Sequence, residues 1–405
     1  MNEVVMNESL KAVKISKRVY WVGAIDYGVR DFHGYNTTRG TTYNAFLITG
    51  SKPILIDTVK KEFFGEMVAR ISSVMNPKEI SYIISNHAEM DHSGALLQAV
   101  DLMQPEQVLA STMGVVALKA HFHDRIAATE VNHNEPFALG DANLKCIESR
   151  MLHWPDSMFT YFADDQVLFS QDGFGMHLAS YQLFSDQNDR HILRYEAMKY
   201  FANILLPYAN FVSRLLEMWS TFDLDIKILA PDHGPIWRGA SDIAWIMDLW
   251  RNWAKREDRG RAVVCYGTMW GSTAHMAAAI ADGIMESQSQ VRVMPLSSCH
   301  RSEIVAELLE AGSLIIGSST INNQIFPTVA DLLCYIKGLK VKNLIGQAFG
   351  SFGWSGEAVD TIRNELTQMQ VKLVSTPIKM RYVPDAECLT NCRNMGVRIA
   401  EAMRG

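Results

Sequence analysis

Between positions 87 and 92 the chain reads His-Ala-Glu-Met-Asp-His, so His87, Glu89, Asp91 and His92 place four potential metal ligands within six residues. The run directly follows a short apolar stretch, Ile-Ser-Tyr-Ile-Ile-Ser, that reads as a strand. Packing does not explain it. A core strand does not tolerate two carboxylates, and a solvated loop has no need of two histidines. A loop at a strand end can turn alternate side chains toward one point, as a metal requires. Three further candidates stand at similar positions: His153 in Met-Leu-His-Trp-Pro-Asp-Ser, Asp172 after Gln-Val-Leu-Phe-Ser-Gln, and His233 in Ala-Pro-Asp-His-Gly-Pro. Each alone reads as structural. With the first cluster they form one ligand set in chain order.

The remaining histidines read more blandly. His121 and His123 have the spacing of a metal pair but no further partner nearby, so they are assigned to surface or packing. His133, His177 and His191 stay unassigned. Asp232 reads as a hydrogen-bond partner behind a ligand. Trp154 and the aromatic stretch from Asp26 to Tyr35 read as packing.

A second constellation lies in the last third. Three loops follow three apolar strands. The first carries Thr268, Met269, Trp270, Gly271, Ser272 and Thr273; the second Ser318, Thr320, Ile321, Asn322 and Asn323; the third Ser351, Phe352, Gly353, Trp354, Ser355 and Gly356. Small hydroxyl residues and glycine at a helix N-terminus can surround a phosphate, which the helix dipole favours. No lysine follows as in a nucleoside-triphosphate loop. The bland alternative is an ordinary turn capped by Ser272. Gly353 and Gly356 permit close backbone approach, and Trp354 offers a stacking face. Together the loops suit a phosphate, a ribityl chain and a planar isoalloxazine ring.

The elements that must hold these residues differ between the two parts. Up to about residue 250, β-like runs (Val19–Ile25, Thr41–Gly50, Lys52–Thr58, Gln166–Asp172) alternate with helical patterns, including a long helical region around residues 188–221. That mixture predicts a large α/β sandwich. From Ala262 onward strand and helix alternate strictly, which predicts a doubly wound parallel sheet of about five strands with its site at the strands' carboxyl ends. The charged segment 254–261 reads as a linker. We therefore expect domains at residues 1–254 and 261–405.

Composition narrows the function classes. The chain has 405 residues, formal net charge −6 and 48% apolar residues. That balance gives no pull toward nucleic acid or anionic membrane. No signal peptide and no spanning segment is expected, so the protein is read as cytoplasmic. The six cysteines contain no C-x-x-C pair, and Cys388 and Cys392 are read as inert thiols.

The first part resembles the metallo-β-lactamase fold, whose hydrolases carry H-x-H-x-D-H followed by His, Asp and His. Here Glu89 stands where the second His belongs. That oxygen ligand hardens the site and favours iron over zinc. H-x-E-x-D-H followed by H-W-P-D-S and P-D-H-G is similar to the flavodiiron proteins, also called A-type flavoproteins or rubredoxin:oxygen oxidoreductases. The second part resembles flavodoxin, and Phe352-Gly-Trp-Ser-Gly-Glu357 is very like the flavodiiron sequence, although Gly267 stands where many members have Asp.

The resemblance implies a metallo-β-lactamase-like αββα sandwich joined to a flavodoxin-like domain. It implies FMN and a non-haem diiron centre: His87, Glu89 and His153 on one iron, Asp91 and His233 on the other, Asp172 bridging. His92 matches a position that ligates the second iron in some members and turns away in others. Electrons from a donor such as rubredoxin would pass through FMN to the irons, reducing O2 to water or NO to N2O. The preferred gas is left open. A head-to-tail homodimer or dimer of dimers is implied, with the donor a separate molecule. The competing readings are a zinc hydrolase fused to a flavodoxin, and an electron carrier with a vestigial metal site.

Overall fold

The computed structural model describes residues 10–256 and 260–404. Part of the expected linker, residues 257–259, lies outside them. The described chain groups into two compact units. One holds the residues up to Phe32, Thr37–Tyr200 and Asn210–Arg251; the other holds His33–Asn36, Phe201–Ala209 and the residues from Asn252 onward. The division is thus not a single cut, because two short segments of the first part group with the second unit.

The first unit is built on two sheets. Strand order in the seven-stranded one is Val13–Lys14, Val19–Trp21, Phe46–Ile48, Ile54–Ile56, Tyr82–Ser85, Gln107–Ala110, Ala128–Glu130. The six-stranded one runs Pro136–Leu139, Ala142–Glu148, Met158–Phe162, Val167–Gln171, Ile228–Pro231, Trp237–Arg238. The two-residue period of a strand sends alternate side chains to opposite faces. Phe46, Ile48, Ile54, Ile56 and Ile84 meet Leu144, Met158, Phe162 and Phe169 of the other sheet. Their neighbours Leu47, Leu55 and Ile83 pack outward against Phe64, Met67, Ile71, Leu96 and Leu118 of the helices. Phe46 and Phe169, with ring centroids 5.1 Å apart, close the seam between the sheets. On the far side Phe174 packs on Trp250 of the helix Ala240–Lys255. The layers are therefore helix, sheet, sheet, helix.

Two expected runs are interrupted. Val19–Ile25 splits into Val19–Trp21 and Ala24–Asp26, and Thr41–Gly50 into Thr41–Tyr43 and Phe46–Ile48. Gly23 marks the break: a Cβ there would collide with the carbonyl oxygen of Tyr43. The long helical region is also broken. Arg190–Tyr200 is helix, Phe201–Leu205 a π-turn, Leu206–Tyr208 a 3-10 turn containing Pro207, and Ala209–Glu217 helix again. Proline removes a helical hydrogen bond and crowds the preceding turn.

The second unit has strands Gln290–Pro295, Arg261–Gly267, Ala311–Ser319, Ile345–Phe352 and Lys372–Leu373 in that spatial order, all parallel, with Ile378–Arg381 also pairing on Ile345–Phe352. The order reverses between Arg261–Gly267 and Ala311–Ser319, which is where such sheets open a crevice. Cys388 and Cys392, on the helix Ala386–Arg404, face the core, and burial pushes the Cys392 thiol up to about 12. Among the described residues no helix is long and apolar enough to cross a membrane.

The helices Ser272–Glu286 and Ala386–Arg404 approach backbone to backbone: a Cβ on Gly283 would strike the carbonyl oxygen of Arg393, and one on Gly396 that of Ile280. Overpacking so close a crossing costs about 1–3 kcal/mol. Gly396→Ala is expected to lower the unfolding free energy by that amount in denaturant titration, despite the helix propensity of alanine.

Candidate metal centre and cofactor loops

The candidate ligands gather at one end of the sandwich. Val167–Gln171 and Ile228–Pro231 run parallel, with Gln171 opposite Pro231, so Asp172 and His233 leave neighbouring strand ends together. Tyr82–Ser85 of the other sheet delivers His87, and the short helix Met90–Ser93 carries Asp91 and His92. Met158 N–H donates to the Asn86 carbonyl at 3.0 Å, fastening the loop before His87 to the strand that follows His153.

Their polar atoms form two groups: His87, Glu89, His153 and Asp172, and Asp91, His92 and His233. Asp172 faces both. Its Oδ2 lies 3.3 Å from His87 Nε2 and 3.2 Å from His153 Nε2; its Oδ1 lies 3.3 Å from His92 Nε2 and 3.6 Å from His233 Nε2. Glu89 Oε2 sits 3.3 and 3.1 Å from the same nitrogens of His87 and His153. Asp91 Oδ2 sits 3.0 Å from His233 Nε2 and 3.4 Å from His92 Nε2. The ring of His92 thus turns into the second group.

Two of the outward nitrogens are hydrogen-bonded and the third, that of His92, stands at ion-pair distance from a carboxylate. His87 Nδ1 lies 3.0 Å from Asp156 Oδ2, His92 Nδ1 3.3 Å from Asp232 Oδ2, and His233 Nδ1 2.6 Å from the Thr42 carbonyl. Such partners set ring orientation and leave Nε2 for a ligand. Asp156 was legible in principle, because it lies three residues after His153. Thr41, Thr42, His177 and Tyr200 were not. His177, left unassigned above, packs on His233 with ring centroids 4.7 Å apart, and Thr41 Oγ1 lies 2.9 Å from its Nδ1.

Electrostatics sharpen the picture. Burial alone would strip charge from these groups. The carboxylates overcome it, raising His92 to about 10 and holding His87 and His153 above the ordinary imidazole value. Despite burial, neighbouring histidines hold Asp172 and Glu89 below the usual carboxylate range. Burial, with the nearby His233, keeps His177 well below its ordinary value, so it is neutral. Burial and the adjoining Asp172 keep the Tyr200 hydroxyl protonated.

The residues fit a metal pair. Asp91 Oδ1, Asp172 Oδ1 and both ring nitrogens of His92 are buried without a well-directed hydrogen bond. The 3.3–3.4 Å approaches to His92 are of ion-pair length, and buried polar atoms normally have a directed partner. Metal ions held by the two groups would give the carboxylate oxygens and His92 Nε2 such a partner. The mixed oxygen and imidazole set suits iron better than zinc.

In the second unit the helix Ser272–Glu286 begins after Gly271, which stands at the cap with φ +89° and no side-chain hydrogen bond. Gly271, rather than Ser272, is therefore the capping residue, and the first N–H groups of the helix have no side-chain partner there. The Thr268 and Thr320 hydroxyls are buried without a partner, as a phosphate or ribityl site would leave them. Thr273, Ser319 and Ser351 tie the three loops together by hydroxyl contacts of 2.9–3.4 Å. Ser318 is spent inside its own loop, accepting from Phe326 N–H and donating to the Ser319 carbonyl. Asn322 and Asn323 make a left-handed turn at φ 49° and 59°, bridged by Ile321 and Gln324. Met269, Trp270 and Trp354 stand exposed, and Gly353 packs under Tyr382. Phe352, Ser355 and Gly356 are half-buried beside them. Gly267 lies against Phe326, whose ring occupies the space a larger side chain would need.

Comparison with known proteins agrees with both halves. Residues 41–234 match the ODP family beta lactamase model, and residues 264–396 match the flavodoxin model. The chain is 40% identical to a rubredoxin-oxygen oxidoreductase of Megalodesulfovibrio gigas over 98% of its own length and 99% of that protein's. The chain belongs to the flavodiiron protein family. It is 39% identical to a nitric oxide reductase of Moorella thermoacetica, over 96% of this chain and 98% of that one. The solved rubredoxin oxygen:oxidoreductase of Desulfovibrio gigas superposes with a TM-score of 0.94, covering 97% of this chain and 99% of that one. The flavodiiron protein of Giardia intestinalis does so with 0.93 at 30% identity, covering 97% of each chain. The metallo-β-lactamase-like and flavodoxin-like folds expected from the sequence are those of this family.

Without bound metal, these candidate ligand groups should have a pH signature. A histidine whose folded pKa is raised contributes stability that is full below its unfolded value of about 6.5. That contribution fades as pH rises through the folded value, about 10 for His92. Lowered carboxylates contribute stability above an unfolded value of about 4 and lose it as pH falls. The metal-free protein should therefore be most stable between about pH 4 and 6.5. Metal competes with the histidine protons, so loading should release protons and tighten as pH rises. Thermal melts of chelated and reloaded protein across pH check both slopes.

Proposed function

We propose that this flavodiiron protein is an oxidoreductase that reduces O2, NO or both at a diiron centre, using electrons relayed through FMN from a donor such as rubredoxin. The observation that carries this reading is Asp172, whose two buried carboxylate oxygens face two separate ligand groups. His87, Glu89 and His153 would hold one iron, Asp91, His92 and His233 the other, with Asp172 between them. Residues 1–254 and 261–405 would be the two working domains. Bound iron would supply reversible one-electron chemistry and open positions for a diatomic gas, and bound FMN would connect a donor to it.

The chain's own groups do the rest. Asp156, Asp232 and the Thr42 carbonyl hold three imidazoles in orientation. Neutral His177 and the protonated hydroxyl of Tyr200 add no charge beside the second group. In the second unit, Thr268, Thr320 and the uncapped helix start would bind the FMN phosphate and ribityl chain. Trp270 and Trp354 would flank its ring. The match to both an oxygen and a nitric oxide reductase, at 40% and 39% identity, supports testing the two gases together. Gas consumption should be measured by electrode with saturating reduced rubredoxin. Turnover of either gas is expected. Asp172→Ala should lower it at least about a hundredfold with loss of iron. Undiminished consumption in that variant would favour the carrier reading, and zinc in place of iron the hydrolase reading.

We also propose a head-to-tail dimer, in which one chain's FMN serves the other's irons. Mixing Asp172→Ala chains with chains disabled in the FMN loop (Thr268→Trp) should then restore turnover that neither has alone. No recovery after subunit exchange would place both sites within one chain.

A further inference from the structure

Gln171 ends the strand Val167–Gln171 and stands immediately before the shared carboxylate Asp172. It is wholly buried and has a left-handed backbone, φ +43°. A residue other than glycine is uncommon there and persists only where its surroundings hold it. Three hydrogen bonds do so, each to a different ligand segment. The side-chain amide nitrogen donates to the carbonyl of Leu152, next to His153 in the chain. The amide oxygen accepts the Asp172 N–H at 2.6 Å. The backbone carbonyl accepts the N–H of Asp232, next to His233, at 2.8 Å. The strand pairing also slips here: Phe169 stands opposite Ala230 and Gln171 opposite Pro231, which leaves Ser170 as an extra residue. Such a bulge re-aims the side chains beyond it. Ser170 then closes the turn, its hydroxyl donating to the Gly173 carbonyl at 2.7 Å and its carbonyl accepting the Gly173 N–H at 2.8 Å. Asp172 is thus held at the corner of a cross-linked turn.

We propose that Gln171 is a positioning residue for the metal centre: it sets the place of Asp172 between the two ligand groups by tying it to the segments that carry His153 and His233. This rests on the functional reading above, because Asp172 needs a fixed place only if it serves two metal ions. The amide works in one orientation. Its oxygen must face the Asp172 N–H and its nitrogen the Leu152 carbonyl. Without it, two buried backbone groups lose their partners, which is costly. The ladder with Ile228–Pro231 ends at Gln171, and these bonds carry the placement on to Asp172. The carboxylate is evenly shared: Oδ2 lies 3.3 and 3.2 Å from His87 and His153, and Oδ1 3.3 and 3.6 Å from His92 and His233. A shift of about 1 Å would favour one group at the other's expense, and misplacement on that scale is enough to impair a site.

The test uses the full-length chain, freed of metal and titrated with Co2+ alone. The wild-type chain should take up two ions, and EPR should show the magnetic coupling that a shared carboxylate transmits. Gln171→Met keeps the size of the side chain and removes its donor and acceptor. It should bind Co2+ about ten- to a hundredfold more weakly, the usual loss when a group behind a ligand is removed. Its EPR spectrum should show the coupling weakened, while its far-UV circular dichroism stays that of the wild type. Gln171→Gly accepts the left-handed backbone without strain but lacks the amide, so it should show the same loss. A merely structural Gln171 would lower the melting temperature of the metal-free variants and leave Co2+ affinity and the EPR spectrum unchanged. That result would overturn the proposal, as would wild-type behaviour in Gln171→Gly. Should neither variant fold, hydrogen exchange on the wild-type metal-free chain decides. The Asp172 amide is expected to be protected like the core strands, and fast exchange there would equally overturn the proposal. Failure of the wild-type chain to bind two ions would instead sink the functional reading.

Discussion

Asp172 is an ionised carboxylate almost wholly removed from water, with four imidazoles and two more carboxylates around it. Burying charge on that scale is costly unless every group has a partner in good geometry. The rest of the first unit meets that demand in part, leaving Asp91 Oδ1, Asp172 Oδ1 and the ring nitrogens of His92 without a directed partner. Two sheets packed through Phe46 and Phe169 give rigid strand ends. Parallel pairing of Val167–Gln171 with Ile228–Pro231 sets Asp172 beside His233. Asp156, Asp232 and the Thr42 carbonyl hold the rings from behind. Without metal the site balances itself by keeping histidines protonated against carboxylates. A bound metal pair would replace those protons with a stronger and more directional partner.

The second unit solves a different problem with the same economy of strand ends. A parallel sheet presents its loops on one edge, and the reversal of strand order opens a crevice there. Contacts among Thr273, Ser319 and Ser351 lock the three loops together, leaving Thr268 and Thr320 unsatisfied. The hydroxyls thus divide between those that build the cradle and those available to an occupant. Ser318 falls in the first class although its neighbours suggested the second.

Both units leave some chemistry facing outward. The first ligand group keeps Glu89 and His153 partly exposed, while the second is sealed behind Tyr43, His177 and Tyr200.

Sequence alone determined the candidate ligand types, their order and the two fold classes. Metal chemistry needs specific atoms, so His87, Glu89, Asp91, His153, Asp172 and His233 stand out against packing, and alternation of strand and helix is a local signal. The charge pattern and the glycine-rich loops were legible for the same reason. Tertiary structure decided what depends on approach between distant segments. It turned the ring of His92 into the second group, with Asp232, from a strand end 140 residues further on, 3.3 Å behind it. It broke Val19–Ile25 at Gly23, because the backbone of Tyr43 lies where a side chain would go. It also brought His177 and Tyr200 against His233, although neither belongs to a local motif. Residue type and spacing are written along the chain, but contact is not: it follows from how strands pair and how side chains close-pack across sequence distances that no short pattern spans.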